Sequence, residues 1–345
     1  MHFQTFTSNV WLLHFKHIKI KMKKAITLLL LAVVSFNALA QDPLKPAIPD
    51  TTWKYGGYAA LNFNQLSLSN WAAGGQSSMS LVALVSLYTK YKKGTTTWDN
   101  SLDMAYGFLK NDGDKLRKND DRIEFNSNFG KQAKGKFYYS ANLNFRSQFA
   151  TGYNLPNDSV VTSRFMAPGF VTAALGFNYK EGDFLSIFLS PASGKFTFVL
   201  DQTMANTGAY GVKAAEMDTT TGKVITPGRQ IRAEFGASLT AKFQKDIFKN
   251  VNLKTTVQLF NNYTDKVAEN RANIDVNWEV LISMKINKFL SASLITNLIY
   301  DHDISLPTIK KVNGEKVEVG KGPKTQFKEA FGLGISYKFA GMSKY

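Results

Sequence analysis

Residues 137–149 read FYYSANLNFRSQF, and their side chains alternate between two kinds. The odd-numbered residues are apolar except Ser147, whereas the even-numbered residues after Tyr138 are Ser, Asn, Asn, Arg and Gln. Successive side chains of a β-strand point to opposite faces, so this stretch predicts a strand with one apolar and one polar face. At about a dozen residues it exceeds the usual five or six and suits a tilted strand that crosses a bilayer.

The same period of two recurs along the chain after residue 52, and no stretch there shows convincing helical periodicity. Segments 231–243 and 274–286 repeat it most clearly. Twelve segments follow the pattern: 53–67, 76–92, 95–110, 118–133, 136–151, 168–181, 183–199, 229–246, 250–264, 271–286, 288–303 and 326–339. The chain is therefore expected to form about twelve long strands.

The seventh segment alternates poorly, because Pro191 and Gly194 interrupt it. Proline cannot donate to a ladder of backbone hydrogen bonds, and both residues are typical of bulges. We expect a bulge or an inward fold of this strand rather than a binding loop at residues 191–195.

The connections between the segments alternate in length. Those after even-numbered segments are tight, as at 92–94 and 181–182, whereas those after odd-numbered segments extend to 151–167, 200–228 and 303–325. This rhythm is typical of outer-membrane barrels, and a soluble sandwich has no reason to show it. We predict an all-β fold: a transmembrane up-and-down antiparallel β-barrel over residues 53–339. Short turns and both ends of the barrel should face the periplasm, and the long loops the cell exterior.

The first forty residues indicate export. Residues 22–40 combine Lys23 and Lys24, an apolar run and a small-x-small ending, as a signal peptide does. Residues 1–21 are interpreted as an N-terminal extension from a mis-assigned start. Pro43, Pro46 and Pro49 predict an extended periplasmic segment over 41–52. Residues 340–345 are expected to be a short tail, and the protein to reside in a Gram-negative outer membrane.

The formal charge of +16 and the absence of cysteine narrow the function further. Without cysteine, thiol catalysis and cysteine-ligated metals are excluded. Five of the lysines lie before residue 41, and many of the others lie at predicted turns or in the last outer loop. Basic residues there favour contact with membrane lipid and lipopolysaccharide, and they do not predict nucleic-acid binding.

Three stretches together carry a family resemblance: LSNWAAGG at 68–75, LSPASGK at 189–195 and GAYGV at 208–212. With the signal peptide and the strand rhythm, the chain resembles a domain-of-unknown-function family of Bacteroidetes outer-membrane β-barrels. The resemblance implies a barrel in the outer membrane and supplies no substrate or catalytic residue. The ending GISYKF at 334–339 is similar to the signal read by the barrel-assembly machinery, with Gly334, Tyr337 and Phe339 as its motif residues.

Few residues point to catalysis or to metal binding. His302 lies between Asp301 and Asp303 at a predicted extracellular mouth, where a general base is one interpretation and an exposed loop histidine the favoured one. Trp71 is a further mouth candidate, although an interfacial tryptophan is favoured. The acidic residues in 112–114 and 119–121 are better explained by turns than by a Ca²⁺ site. We expect no metal, no cofactor and no enzymatic activity.

The polar face of the strands is the remaining candidate. Its charged residues are expected to line the lumen, as a plug or as a narrow selective pore. They are Asp103, Glu124, Arg146, Arg232, Glu234, Lys254, Asp275, Glu279 and Lys285. A narrow channel or transporter for small polar solutes is the main hypothesis. A scaffold that meets an unknown periplasmic or outer-membrane protein is the alternative, and a lipid-modifying enzyme centred on His302 is the third.

Overall fold

The computed structural model describes residues 53–67, 77–153, 159–287, 290–312 and 315–343. The predicted extension, signal peptide and periplasmic segment, and Trp71 with its surrounding stretch, lie outside these residues. Twelve long strands form the barrel: β1 (Trp53–Leu66), β2 (Ser78–Lys93), β3 (Thr96–Asn111), β4 (Arg117–Lys134), β5 (Phe137–Ser147), β6 (Gly169–Glu181), β7 (Leu185–Phe198), β8 (Ile231–Phe248), β9 (Val251–Asn262), β10 (Ile274–Lys285), β11 (Leu290–Tyr300) and β12 (Gln326–Ser343).

Each strand pairs antiparallel with its neighbours in the chain, and β12 pairs with β1 to close the barrel. The prediction of a closed, up-and-down, twelve-stranded antiparallel barrel is confirmed. The predicted end of the barrel at residue 339 is wrong. β12 continues to Ser343, and Gly341 pairs with Tyr55, because the closing ladder reaches the first residues of β1.

The two faces of the barrel wall differ in polarity. Large apolar side chains such as Tyr139, Phe177 and Phe331 are 51–60% exposed on the outside. Polar side chains such as Asn178 and Ser193 are buried inside. This arrangement inverts that of a soluble protein and is typical of a barrel whose outer face meets lipid. No helix among the described residues is long and apolar enough to cross a membrane.

Contacts across the lumen show that the barrel is oval. Lys254 in β9 lies 2.7 Å from Asp103 in β3, and Arg122 in β4 forms an ion pair with Glu279 in β10. Each pair joins strands that are six positions apart, halfway round the sheet. Twelve strands arranged in a circle would enclose roughly 24 Å between backbones. A lysine and an aspartate in contact span only about 13 Å between Cα atoms, so these walls approach each other.

We interpret the pairings of β12 with β1 and of β6 with β7, which lie midway between the strands joined by the ion pairs, as the two corners of the oval. Gly334 in β12 lies against the backbone of β1 at Leu61, and Gly176 in β6 lies against the backbone of β7 at Leu189. A Cβ atom at either position would overlap a carbonyl oxygen. The register of β6 with β7 shifts beside Gly176, which confirms the predicted bulge near Pro191. Glycines and bulges are the usual means by which a sheet turns a corner.

The long loops carry additional structure that sequence periodicity did not predict. Residues 305–312 pair with residues 315–323 as two antiparallel strands, and Gln202–Asn206 form a short helix, α1. Residues 159–168 and 199–230, here called the outer cap, share an apolar cluster of buried side chains. Its members are Ala167, Val199, Met204, Ala205 and Val212. Tyr210 donates a hydrogen bond to the carbonyl oxygen of Thr162 at 2.8 Å, which joins the two loops.

The corner at Gly176 yields a stability prediction. Gly176→Ala should destabilise the folded barrel by roughly 1–3 kcal/mol or more, because the new methyl group meets the backbone of β7. Urea unfolding in lipid vesicles, followed by tryptophan fluorescence, measures the change. Gly322→Ala is the matched control, since no heavy atom lies within 4 Å of a Cβ atom built there. Equal unfolding midpoints for the two variants would contradict the corner interpretation.

Candidate functional site: the polar lumen

The structure places eight of the nine predicted lumen residues inside the barrel. They are Asp103, Glu124, Arg146, Arg232, Glu234, Lys254, Asp275 and Glu279. Lys285 does not join them, because it is the last residue of β10 and is exposed at the short-turn end. Their contacts organise the lumen into three layers: two ion pairs that cross it, a chain of amides, and a charged cluster at the long-loop end.

Two ion pairs cross the lumen and join opposite walls. Asp103 accepts hydrogen bonds from Lys254 at 2.7 Å and from Ser86 at 2.6 Å. The side chains of Lys254 and Asp103 nevertheless remain 26% and 19% exposed. Those of Arg122 and Glu279 are similarly accessible. Space for water therefore remains beside both pairs, so the constriction is polar and is not closed by dense packing.

Carboxamide side chains form a hydrogen-bonded chain along the lumen wall. Asn297 donates to Asn277 at 3.1 Å, Asn277 donates to Gln258 at 3.0 Å, and Gln258 donates to the carboxylate of Glu124 at 3.4 Å. Asn144 donates to the same oxygen of Glu124 at 2.9 Å. These donors compensate a carboxylate that is only 8% exposed, as a buried charge requires.

At the long-loop end, two cations hold four carboxylates. The ammonium group of Lys195 lies 2.6 Å from Asp275, 3.1 Å from Asp301 and 4.0 Å from Glu234. The guanidinium group of Arg232 lies 3.0 Å from Glu234 and 2.9 Å from Asp303. We call these six residues the mouth cluster.

The mouth cluster determines the state of the Asp301 carboxyl group, which lies just beyond β11. Burial raises the pKa of Asp301, but the positive charges of Lys195 and Arg232 lower it further than burial raises it. The pKa therefore lies below the ordinary aspartate value, and Asp301 is ionised at neutral pH. Gly211 of the outer cap packs directly against Arg232, so the cap and the cluster are in contact.

Lys195 and Arg122 are important lumen residues that the sequence analysis missed. Below the bulge of β7, Phe188 and Ser190 face the lumen, whereas above it Ser193, Lys195 and Thr197 do. The extra residue at the bulge exchanges the set of side chains that faces the lumen, whereas strict alternation along the strand would place Lys195 on the lipid face. Arg122 carried a usable signal, since it is two residues from Glu124 on the polar face of β4.

The mouth candidates do not assemble into a catalytic group. The ring of His302 contacts the hydroxyl of Tyr300 at 3.3 Å, while Asp301 and Asp303 contact Lys195 and Arg232. The two acids therefore do not orient the histidine, as a general base would require.

The acidic residues predicted at turns pair with cations, and Asp120 and Asp121 lie in β4 rather than in a loop. Asp120 pairs with Lys328 at 2.7 Å and Asp121 with Lys118 at 2.8 Å, and Asp114 pairs with Arg117. In the described part of the chain, no group of three or more acidic or histidine side chains is arranged to hold a metal ion.

The candidate assembly residues lie in the strand that closes the barrel. Tyr337 and Phe339 are exposed on the outer face of β12, and their rings stack with centroids 6.2 Å apart. Gly334 has the corner role described above, which is a structural reason for glycine that is independent of assembly.

Comparisons with known proteins give a partial family match. A family model described as "Protein of unknown function (DUF3078)" matches residues 63–153, which is less than half of the chain. The stretch 68–75 lies within this match, whereas 189–195 and 208–212 lie outside it. No curated protein matches the chain.

Several solved barrels are similar to the chain at low identity. An outer membrane channel from Pseudomonas putida F1 is 12% identical with a TM-score of 0.35, and the match covers 87% of this chain and 100% of that one. The translocator domain of the autotransporter NalP from Neisseria meningitidis is 10% identical with a TM-score of 0.30, covering 94% and 96%. The NanC porin is 8% identical with a TM-score of 0.32, covering 82% and 100%.

The mouth cluster yields a prediction about pH. Lys195→Met leaves three carboxylates undercompensated, so the variant should lose roughly 3–5 kcal/mol of stability at pH 7. In the wild type, Asp301 stabilises the fold above the ordinary aspartate pKa, and this contribution is lost as the pH falls through its lowered folded-state pKa. The deficit of the variant should therefore shrink on acidification.

Urea unfolding midpoints at pH 7 and at pH 2, well below the ordinary aspartate pKa, measure this deficit. Lys285→Met is the control, since it removes an exposed lysine of the same size from the other end of the barrel. A deficit that is the same at both pH values would show that the loss comes from packing and not from charge.

Proposed function

We propose that the chain is an outer-membrane β-barrel that provides a narrow passage for small polar solutes. The observation that carries this proposal is the lumen itself: charged side chains that remain partly exposed, with two ion pairs narrowing the cross-section. A polar lumen of this width suits small solutes and ions. It does not suit large substrates, because side chains from opposite walls meet across the lumen.

The outer surface supports a location in a membrane. Aromatic side chains gather near the short-turn end, where the rings of Trp53 and Tyr91 lie 5.0 Å apart and those of Phe137 and Tyr179 lie 5.3 Å apart. Such girdles are typical of the boundary between lipid and water. Exposed lysines at the turns provide positive charge for lipid phosphates and for lipopolysaccharide, which are the partners we propose.

A scaffold function is the second candidate, and one feature of the outer cap favours it. The hairpin of residues 216–226 exposes Met217, Val224 and Ile225, which are 50%, 43% and 67% accessible. An apolar tip on a loop is suited to contact another protein. We propose no catalytic function, because the carboxylates beside His302 are engaged by other residues.

The proposed lipid-facing surface can be tested by one substitution. Leu143→Arg should lower the stability of the barrel in lipid vesicles by about 2–4 kcal/mol, because Leu143 lies on the outer face of β5, well inside the strand. Leu116→Arg is the control, since Leu116 is 60% exposed in a loop outside the strands. Equal unfolding midpoints in vesicles for both variants would argue against a membrane-facing wall.

The passage can be tested by conductance in planar lipid bilayers. The folded wild-type protein should give small, discrete current steps. The double variant Arg122→Ala with Glu279→Ala removes one crossing ion pair, so its steps should be larger by about twofold or more. Lys285→Ala, which removes a charge outside the constriction, should leave the step size unchanged.

Folding is verified beforehand by the altered gel mobility of unheated samples. Silent bilayers with folded wild type and with the folded double variant would refute the passage and favour the scaffold candidate.

A further inference from the structure

A cavity of about 100 Å³ lies in the lumen beside the mouth cluster. Its charged lining residues are Arg146, Lys195, Asp275 and Asp301, and its aromatic lining residues are Phe170, Phe260 and Tyr300. Lys195 already compensates both carboxylates, at 2.6 Å and 3.1 Å. What this cavity can bind therefore depends on the partners of Arg146.

The guanidinium group of Arg146 has a ring beside it and no carboxylate. It lies over the ring of Phe170, 4.9 Å from the ring centroid. Among the residues that the structure describes, no carboxylate lies within 4.0 Å of it and no hydrogen bond involves its side chain. Its neighbour across the ladder is Glu124, but Asn126, Asn144 and Gln258 all donate to that carboxylate. The lumen thus supplies Glu124 with amides and leaves the donors of Arg146 available to the cavity.

We propose that this cavity is a binding site for a small hydroxylated monocarboxylate, with Arg146 as its anchor. A guanidinium group presents a planar fork of donors that matches a carboxylate in a bidentate pair. Phe170 covers one face of the fork, so the edge that carries the N–H groups remains for the ligand. A low local dielectric beside two aromatic rings strengthens such a pair.

The remaining lining determines the class of ligand. Thr172 and Thr240 line the cavity, and in the described part of the chain their hydroxyl groups make no hydrogen bond, so both can bond to ligand hydroxyls. The rings of Phe170 and Phe260 provide apolar contact for a short carbon chain. Because Asp275 and Asp301 already engage Lys195, Arg146 can pair with one ligand carboxylate, which favours a monoanion over a dianion.

This inference deepens the proposed function, because it places the site on the path of the solute, but binding is measured independently of conduction. The probe is D-glycerate, and uncharged glycerol is its matched comparison. Isothermal titration of the folded barrel in detergent at low salt should give saturable binding of glycerate and no measurable binding of glycerol.

The variants separate the anchor from net charge. Arg146→Met should weaken glycerate binding at least tenfold, and Arg146→Lys should give an intermediate loss, because lysine keeps the charge without the fork. Lys285→Met also removes one positive charge from the protein, at an exposed position at the short-turn end and outside the cavity lining. Its affinity for glycerate should stay within about twofold of wild type.

The outcomes are distinct for the two proposals. The absence of saturable binding to the wild type, or an equal loss in the Arg146 and Lys285 variants, would overturn the site. Either result combined with normal current steps would leave the passage standing. Saturable, Arg146-dependent binding by a barrel that gives no current would support the site and refute the passage.

Discussion

The pairing of β1 with β12 is the constraint on which the other features depend. An open sheet leaves a row of backbone N–H and C=O groups without partners, and lipid cannot hydrogen-bond to them. Closure removes both edges at once, from Trp53 paired with Ser343 to Phe63 paired with Leu333. Once the sheet is closed, each strand has one face toward the exterior and one toward the lumen. The apolar exterior and the polar interior are consequences of that closure.

The lumen of this barrel is then shaped by charge rather than by strand number alone. Two ion pairs pull opposite walls together, while Gly176 and Gly334 allow the backbone to turn sharply at the two ends of the oval. An ion pair across the lumen holds two opposite walls close together, so the sheet between those walls must bend more sharply. Glycine at these positions permits that bending. The width of the lumen follows from this combination.

The bulge of β7 links the wall to the mouth. By shifting the parity of the strand, it turns Lys195 inward, where that residue compensates Asp275 and Asp301. This compensation leaves Arg146 beside the cavity without a carboxylate partner among the residues that the structure describes. The outer cap reaches the same cluster through Gly211 against Arg232.

The local sequence pattern alone was sufficient to predict the strands, their order, their two faces and eight of the nine lumen residues. The reason is that side chains alternate along any strand and loop length alternates around any up-and-down barrel. It was not sufficient for the partners of those residues. Whether Asp103 meets Lys254, or Glu279 meets Arg122, depends on the shear and flattening of the whole barrel, which residues more than a hundred positions apart determine together. Lys195 was not predicted to face the lumen, because one extra residue at a bulge reverses the face to which every later side chain in the strand points. The amino-acid sequence thus determined which residues face inward in regular strands. Only the tertiary structure decided which of them touch, because contacts across a closed sheet follow from its curvature and not from its period.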